Sequence, residues 1–334
     1  MPFREIAGHR HLLELIGRAT SRGTLPPSLI FAGPAGVGKR MAAVALAQLM
    51  NCLALDKTGG ADACGACSSC KRIARGVHAD VLMVEPGETG SIRIDQVRDA
   101  IERSAYRPFE GRRRVVIVDE ADSLNAEAQN ALLKTLEEPP SASTFVLVTS
   151  RPDMLLPTVL SRCQRLRFGR LSPGEVATIL IRDHEYTERD AHAAASLSDG
   201  SLGRALEGGT DDFVDARDAA ASLLESVASS PDPRRRLNGA KAITGSSRGG
   251  SDREELARRL YALSSIVRDL GALLSRADER SLANADLRPL LERLQRSFDR
   301  ERILRAFSAV DRALAALDRN ASPKIVADWL AFQI

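Results

Sequence analysis

Aromatic residues are scarce in this chain: nine Phe, three Tyr and one Trp make up 4% of 334 residues. With so few flat rings, recognition of single-stranded nucleic acid by base stacking is disfavoured, and any contact to DNA is expected to run through phosphates. Long apolar runs are missing as well, so nothing approaches the roughly 20 residues that span a bilayer. The opening segment "MPFREIAGHR" has no apolar stretch of the signal-peptide kind, and the chain is expected to be cytoplasmic with no membrane partner. An excess of charge of either sign is also lacking. The 47 basic and 44 acidic residues leave a net charge of +3, which creates no global field calling for nucleic acid, although local patches remain open. What is plentiful is apolar residue, 44% of a chain longer than one hydrophobic core accommodates, so two or three domains are expected.

Four short runs, "SLIFAG" (28–33), "DVLMVEP" (80–86), "RVVIVDEAD" (114–122) and "TFVLVTS" (144–150), are continuously apolar and rich in β-branched residues, with helix-like stretches between them. That is the pattern of buried parallel strands joined by crossover helices. A fifth strand is predicted at "CQRLRF" (163–168). Between the third and fourth runs, Leu124, Ala128, Leu132 and Leu136 repeat at helical spacing, with Asn125 as the cap and two prolines as the stop. From about residue 170 the chain turns rich in Ala, Leu, Arg, Asp and Glu with no strand pattern, opening at the helix start "LSPGE" (171–175) and divided by breakers at 199–203 and 208–212. "GSSRGGSD" (245–252) reads as a loop inside this helical part. The final long helix is expected to turn Ile303, Phe307, Val310, Leu314 and Leu317 inward.

Three constellations carry chemistry. "GPAGVGKR" (33–40) follows a strand and opens a strong helix, the context of a phosphate-binding loop: Gly33, Gly36 and Gly38 supply tight turns and approachable amides, and Lys39 reaches terminal phosphates. The bland alternative is a glycine turn. Position 40 departs from the motif, because Arg40 stands where a hydroxyl residue coordinates magnesium, and a guanidinium offers no acceptor. "VVIVDEAD" then delivers Asp119 and Glu120 to a strand end, where the aspartate of such a site holds magnesium and the glutamate orients water; two ordinary surface acids are the alternative. Third, Cys52, Cys64, Cys67 and Cys70 are separated by eleven, two and two residues. Four thiolates this close can close a tetrahedral structural zinc site in an insertion at about 52–70, the alternative being free structural or redox thiols. Cys163 reads as a packed residue.

Arg93, Arg98, Arg103, Arg107, Arg112, Arg113 and Arg114, with "PRRRL" (233–237), form a basic run that is either a solvated face or a track for DNA phosphates. No further carboxylate pair suggests a two-metal polymerase site.

"LPPSLIFAGPAGVGKR", the four-cysteine insertion, "VVIVDEADSLNAEAQNALLKTLEEPP", "TFVLVTSRPDMLLPTVLSRCQ" and "NASPKIVADWLAFQI" together resemble segments of the bacterial replicative clamp loader, a branch of the AAA+ superfamily, in the same order and over nearly the whole chain. The resemblance implies an α/β AAA+ P-loop domain with a parallel five-stranded sheet and zinc insertion (1–169), a small helical lid (170–208) and an all-α collar (209–334) through which five subunits assemble. Motor subunits of that family carry Thr or Ser after the loop lysine, so Arg40 points to its delta-prime branch. On that reading the chain is a stator whose own use of ATP and magnesium is weak or absent. Its implied partners are the motor and delta subunits of a hetero-pentamer, the sliding clamp and primer–template DNA. The "SRC" segment implies that Arg162 reaches the ATP site of a neighbouring subunit as a finger in trans, where a fixed cation suits the charge spreading over a transferring phosphoryl group. Ser150 approximates the polar sensor. The lid arginine follows "GSL" directly in motor subunits, whereas Arg204 comes one position later, about a hundred degrees around a helix. Asp119 and Glu120 are both kept, which leaves room for an alternative: an ATP-hydrolysing, gamma/tau-like motor subunit. A zinc-stabilised DNA-binding module is the third reading.

Overall fold

The computed structural model describes residues 1–334 except 56–60, 88–89, 208–209, 230–231, 245–251, 278–281 and 320, so most of the loop expected at 245–252 lies outside the described residues. It divides into two compact units, Met1–Arg170 and Leu171–Ile334.

The first unit runs α1 (Arg10–Ser21), β1 (Ser28–Ala32), α2 (Lys39–Asn51), α3 (Ser68–Ala74), β2 (Val81–Val84), α4 (Ile94–Ala105), β3 (Arg114–Val118), α5 (Ala126–Glu137), β4 (Ser143–Thr149), α6 (Pro157–Leu160) and β5 (Gln164–Arg167). The five strands form one parallel sheet in the order β2-β3-β4-β1-β5. The continuous apolar runs have a simple cause. Alternate residues of a strand face opposite sides of a sheet, and here both sides are covered. Leu29, Phe31, Val115, Ile117, Val146 and Val148 pack with α2 and its neighbours into one core. Ile30, Ala32, Val116, Val118, Phe145 and Leu147 join Val97, Ala100, Leu132 and Leu136 of α4 and α5 in the other. Each such Val, Leu, Ile or Phe side chain contributes about 1.5–3 kcal/mol of burial. The fifth strand falls within the predicted segment 163–168. It lies at the sheet edge, where Gln164, Arg165 and Arg167 are exposed.

Helix α5 is built as its sequence reads. The Asn125 side chain accepts the Ala128 amide at 2.8 Å, and Ala128, Leu132 and Leu136 are buried. The proline pair ends it, because the residue before a proline is driven out of helical geometry. Gly17 of α1 marks a close approach: a Cβ there would collide with the Ala61 carbonyl beside the cysteine segment.

The second unit contains, among the described residues, only helices and a short 3-10 turn at Ala285–Leu287: α7 (Pro173–His184), α8 (Glu188–Leu197), α9 (Leu202–Glu207), α10 (Thr210–Ser229), α11 (Pro233–Ile243), α12 (Asp252–Leu274), α13 (Arg288–Leu294), α14 (Arg300–Asp318) and α15 (Pro323–Gln333). A reciprocal capping box between Ser172 and Glu175 starts α7. One core gathers Leu223, Leu260, Leu263, Val310 and Leu330 from four of the helices. In α14 the inward register is Ile303, Ala306, Val310, Ala313 and Leu317, whereas Phe307 is 39% exposed and Leu314 only partly buried. The expected stripe followed the larger side chains, but close helix packing here favours the alanines on the inner face.

Candidate functional site

The candidate site sits where the C-terminal ends of β1, β3 and β4 meet. After β1 the chain makes a tight loop in which Gly36 (φ 72°) and Gly38 (φ 98°) occupy the left-handed region that only glycine enters freely. Gly38 stands at the N-terminus of α2 with no side-chain cap, leaving the first amides of the helix for an anion. Gly33 has a different duty: its N–H donates to Thr149 O at 3.2 Å, and a Cβ there would collide with the Phe168 carbonyl. The loop is braced from the chain start, where His9 Nε2 meets Val37 O at 2.9 Å.

The two cations that follow the loop glycines both find partners within the first unit. Lys39 is buried and donates from Nζ to Pro34 O at 2.5 Å. Burial pulls its pKa down, against the opposing pull of Asp119 and Asp122. Arg40 Nη1 donates to Asp119 Oδ2 at 3.0 Å, and Nη2 pairs with Glu85 just beyond β2. The other Asp119 oxygen accepts the Glu120 amide, also at 3.0 Å. Both carboxylate oxygens are therefore engaged, position 40 offers no hydroxyl, and a cation already stands against the aspartate. These residues do not fit a nucleotide-bound magnesium ion. Glu120 is exposed in left-handed backbone (φ 48°), a conformation that costs energy for a residue with a Cβ.

Beside this pair lies a second cluster that sequence reasoning approached only through Ser150. The Ser150 side chain is exposed; its amide donates to Asp122 Oδ1 at 3.2 Å. The buried hydroxyl is Thr149, which donates to the same oxygen at 2.8 Å, while Arg151 Nε donates to Asp122 Oδ2 at 2.9 Å. Burial alone would raise the Asp122 pKa, but Thr149 and Arg151 outweigh it and hold the carboxyl below its usual range. Thr149 could have been singled out as the hydroxyl that closes the apolar run of β4; nothing in "VEPGETG" singled out Glu85.

Arg162 follows α6 at the edge of the first unit. Its Nη2 and Nε lie 3.1 and 3.2 Å from Glu137 Oε2, and Nη1 donates to Thr158 O at 3.1 Å. The adjacent Cys163 thiol is pushed up to about 12 by burial, so it packs as a neutral group. Arg204 is exposed on α9 of the second unit, its amide donating to Ser201 Oγ at 3.2 Å.

Cys52, Cys64, Cys67 and Cys70 converge, their sulfurs all lying within 4.8 Å of one another. Tetrahedral thiolate sites with bonds of about 2.3 Å place sulfurs ~3.8 Å apart, so a small contraction closes this set around an ion. Backbone amides already donate to the sulfurs: Cys64 N to Cys52, Cys67 N to Cys64 and Cys70 N to Cys67, at 3.3, 3.3 and 3.4 Å. At Cys64 burial pushes the pKa up, yet amides of Cys67 and Ala66 and the neighbouring thiols bring it down to about 6. The donor set can hold a metal ion. The cluster is anchored from three sides: Gln48 Nε2 donates to Cys70 O at 2.7 Å, Arg4 donates to Ala63 O and Cys64 O at 2.7 and 3.0 Å, and Asp62 accepts the Phe3 amide at 2.8 Å.

The basic run divides. Arg114 is buried, its Nη2 paired with Asp80 at 2.8 Å, so it neither solvates a face nor reaches phosphates. Asp80 also accepts the amides of Phe109, Glu110 and Gly111 at 2.7, 2.9 and 2.7 Å. Arg103 pairs with Asp99, and Arg113 donates to Ser141 O. Arg93, Arg98, Arg107 and Arg112 are exposed. No helix, among the described residues, is long and apolar enough to cross a membrane.

A protein-family profile described as DNA polymerase III, delta subunit, matches residues 8–172. The chain is 33% identical to the DNA polymerase III subunit delta' of Bacillus subtilis over 64% of its own length and 63% of that protein's. It is 42% identical to the delta' subunit of Pseudomonas aeruginosa over 39% of each chain. It is also 34% identical to the DNA polymerase III subunit tau of Salmonella typhimurium, covering 61% of this chain and 32% of that one. The chain thus spans about a third of the length of this tau relative.

Proposed function

From the match of residues 8–172 to the DNA polymerase III delta-subunit profile, we propose that the chain is a delta-prime-type clamp-loader subunit: a stator that assembles with motor and delta subunits. It donates Arg162 to a neighbour's ATP site and helps place the sliding clamp on primer–template DNA in the cytoplasm. The observation that carries this reading is Arg40 on Asp119, 3.0 Å away. A subunit that turned over its own ATP would need that carboxylate for magnesium, whereas here the charge is neutralised from within. Lys39 is likewise committed to Pro34.

In this role the chemistry belongs to the neighbouring site, where nucleotide supplies the transferring phosphoryl group. Arg162 places a delocalised, permanently charged guanidinium beside that group, and the value of such a cation lies in being aimed before charge develops. Zinc on Cys52, Cys64, Cys67 and Cys70 would tie the end of α2 to α3 and hold the chain start through Arg4 and Gln48, a structural duty with no open position. The exposed arginines Arg98, Arg107 and Arg112 would meet DNA through phosphates. Arg204 and Ser150 are proposed vestiges of the lid and sensor positions.

The test is DNA- and clamp-stimulated ATP hydrolysis by the assembled loader containing either the wild type or Arg162→Ala. A fall of about 10³-fold, the low end of what such fingers contribute, is expected with assembly unchanged. Unchanged turnover sinks the stator reading. A gamma/tau-like motor is the second reading, favoured by the similarity to tau and by the retained Asp119 and Glu120; magnesium-dependent hydrolysis by the isolated chain would establish it instead.

A further inference from the structure

Glu137, the last residue of α5, sits where an acid is electrostatically out of place. The C-terminus of a helix carries partial negative charge, and acids there are disfavoured. "LEEPP" nonetheless puts Glu137 and Glu138 there. The structure supplies a reason: Glu137 Oε2 accepts the Nε–H of Arg162 at 3.2 Å and forms an ion pair with its Nη2 at 3.1 Å.

The two residues are 25 positions apart in sequence, and their meeting is built by a rigid connection. Gln129 of α5, itself buried, accepts the Leu156 amide at 2.7 Å and donates to Met154 O at 3.3 Å, which bolts α5 to the segment entering α6. Leu132, Leu136, Leu155 and Val159 fill the space between them. Arg162 thus emerges from a fixed platform. Its guanidinium is held on one side by Glu137 and on another by Thr158 O, at 3.1 Å. Of the five N–H groups of a guanidinium, Nε–H and one on Nη1 are then used in hydrogen bonds and Nη2 rests at ion-pair distance from Glu137, leaving N–H groups on both terminal nitrogens for an outside acceptor.

We infer that Glu137 is the positioning residue of Arg162: it fixes the guanidinium plane so that the remaining N–H groups of the terminal nitrogens face an incoming phosphoryl group. The inference rests on the proposed role of Arg162 in trans. A free arginine samples many rotamers, and binding must otherwise freeze them in competition with the reaction. Glu137 is 60% exposed, so its attraction is screened and its contribution is one of geometry. A glutamine, which keeps an acceptor oxygen at the same reach, should therefore replace it.

The experiment uses the assembled loader and measures kcat and KM for ATP with wild type, Glu137→Ala, Glu137→Gln, Arg162→Ala and the Glu137→Ala/Arg162→Ala double variant. Expected are a roughly tenfold lower kcat for Glu137→Ala with KM unchanged, near-complete retention in Glu137→Gln, and a double variant no worse than Arg162→Ala alone. The thermal midpoint of the isolated chain should not move. Three results overturn the inference while leaving the stator reading intact: full activity of Glu137→Ala beside an impaired Arg162→Ala; a loss that adds to that of Arg162→Ala; or faster turnover in Glu137→Ala, which would make Glu137 a restraint. If Arg162→Ala is itself as active as wild type, the stator reading fails and this inference falls with it.

Discussion

Arg40→Thr is the most informative single change in the phosphate loop. In the wild type, a magnesium ion carried by nucleotide meets Arg40 Nη1 already 3.0 Å from Asp119 Oδ2. To admit the ion, the guanidinium must leave. Asp119 is only 12% exposed, so the contact it loses is a charge-assisted hydrogen bond, worth about 1.5–3 kcal/mol when well shielded. Arg40 itself is 56% exposed, and solvent screening lowers that figure to about 1–2 kcal/mol, with little added by the exposed Glu85 pair. Admission of the metal therefore costs about five- to thirtyfold in affinity. Titration with a fluorescent ATP analogue, in magnesium and in a chelator, reads this directly. Wild-type dissociation constants should agree within about twofold between the two buffers, and Arg40→Thr should tighten binding by about five- to thirtyfold in magnesium alone, since the hydroxyl also supplies the missing ligand. Strong magnesium dependence in the wild type, unaltered by Arg40→Thr, would refute the reasoning.

Elemental analysis of freshly purified protein should return about one zinc per chain, and chelation should lower the melting temperature and expose the segment between α2 and α3 to protease; a metal-free, equally stable protein would remove the zinc assignment. Asp80→Asn should cost about 3–5 kcal/mol in a denaturant titration, because it strands Arg114 and sets an amide against three backbone donors. At Asp80 burial raises the pKa, yet Arg114 and the amides bring it down to about 2, below the unfolded value of 3.8. The resulting stability, about 2 kcal/mol, is fully present above pH ~4 and is lost as the pH falls through ~2, a slope that Asp80→Asn should abolish. Gly17→Ala should destabilise by about 1–3 kcal/mol through collision with the Ala61 carbonyl, whereas Gly23→Ala, with open space around it, should owe any loss to its φ of 68° alone.

Much was legible from the chain itself, and for identifiable reasons. A strand buried on both faces must be apolar throughout, so β1, β3 and β4 announced themselves. Helix α5 was framed by chemistry local to its ends, an asparagine cap and two prolines. The cysteine spacing forecast a metal-holding cluster because two short gaps and one longer one keep all four sulfurs within reach of a single point. The departure at position 40 was also visible as a wrong residue in a known pattern, and it already excluded a hydroxyl ligand.

The identity of what Arg40 touches was a different matter. Glu85 and Asp119 lie 45 and 79 positions away, and only the folded unit brings the ends of β2 and β3 to the start of α2. The same holds for Glu137 under Arg162 and for Asp80 beneath the loop before β3. The outward turn of Phe307 shows the limit of periodicity, because a stripe of large residues and a stripe of small ones fit the same helix and the neighbouring helices choose between them. Sequence therefore determined the elements, their caps and the residue types available for chemistry, all of which depend on neighbours along the chain. Which charges cancel and which stay free was decided by the tertiary structure, since electrostatic pairing falls off within a few ångströms and takes no account of distance along the backbone.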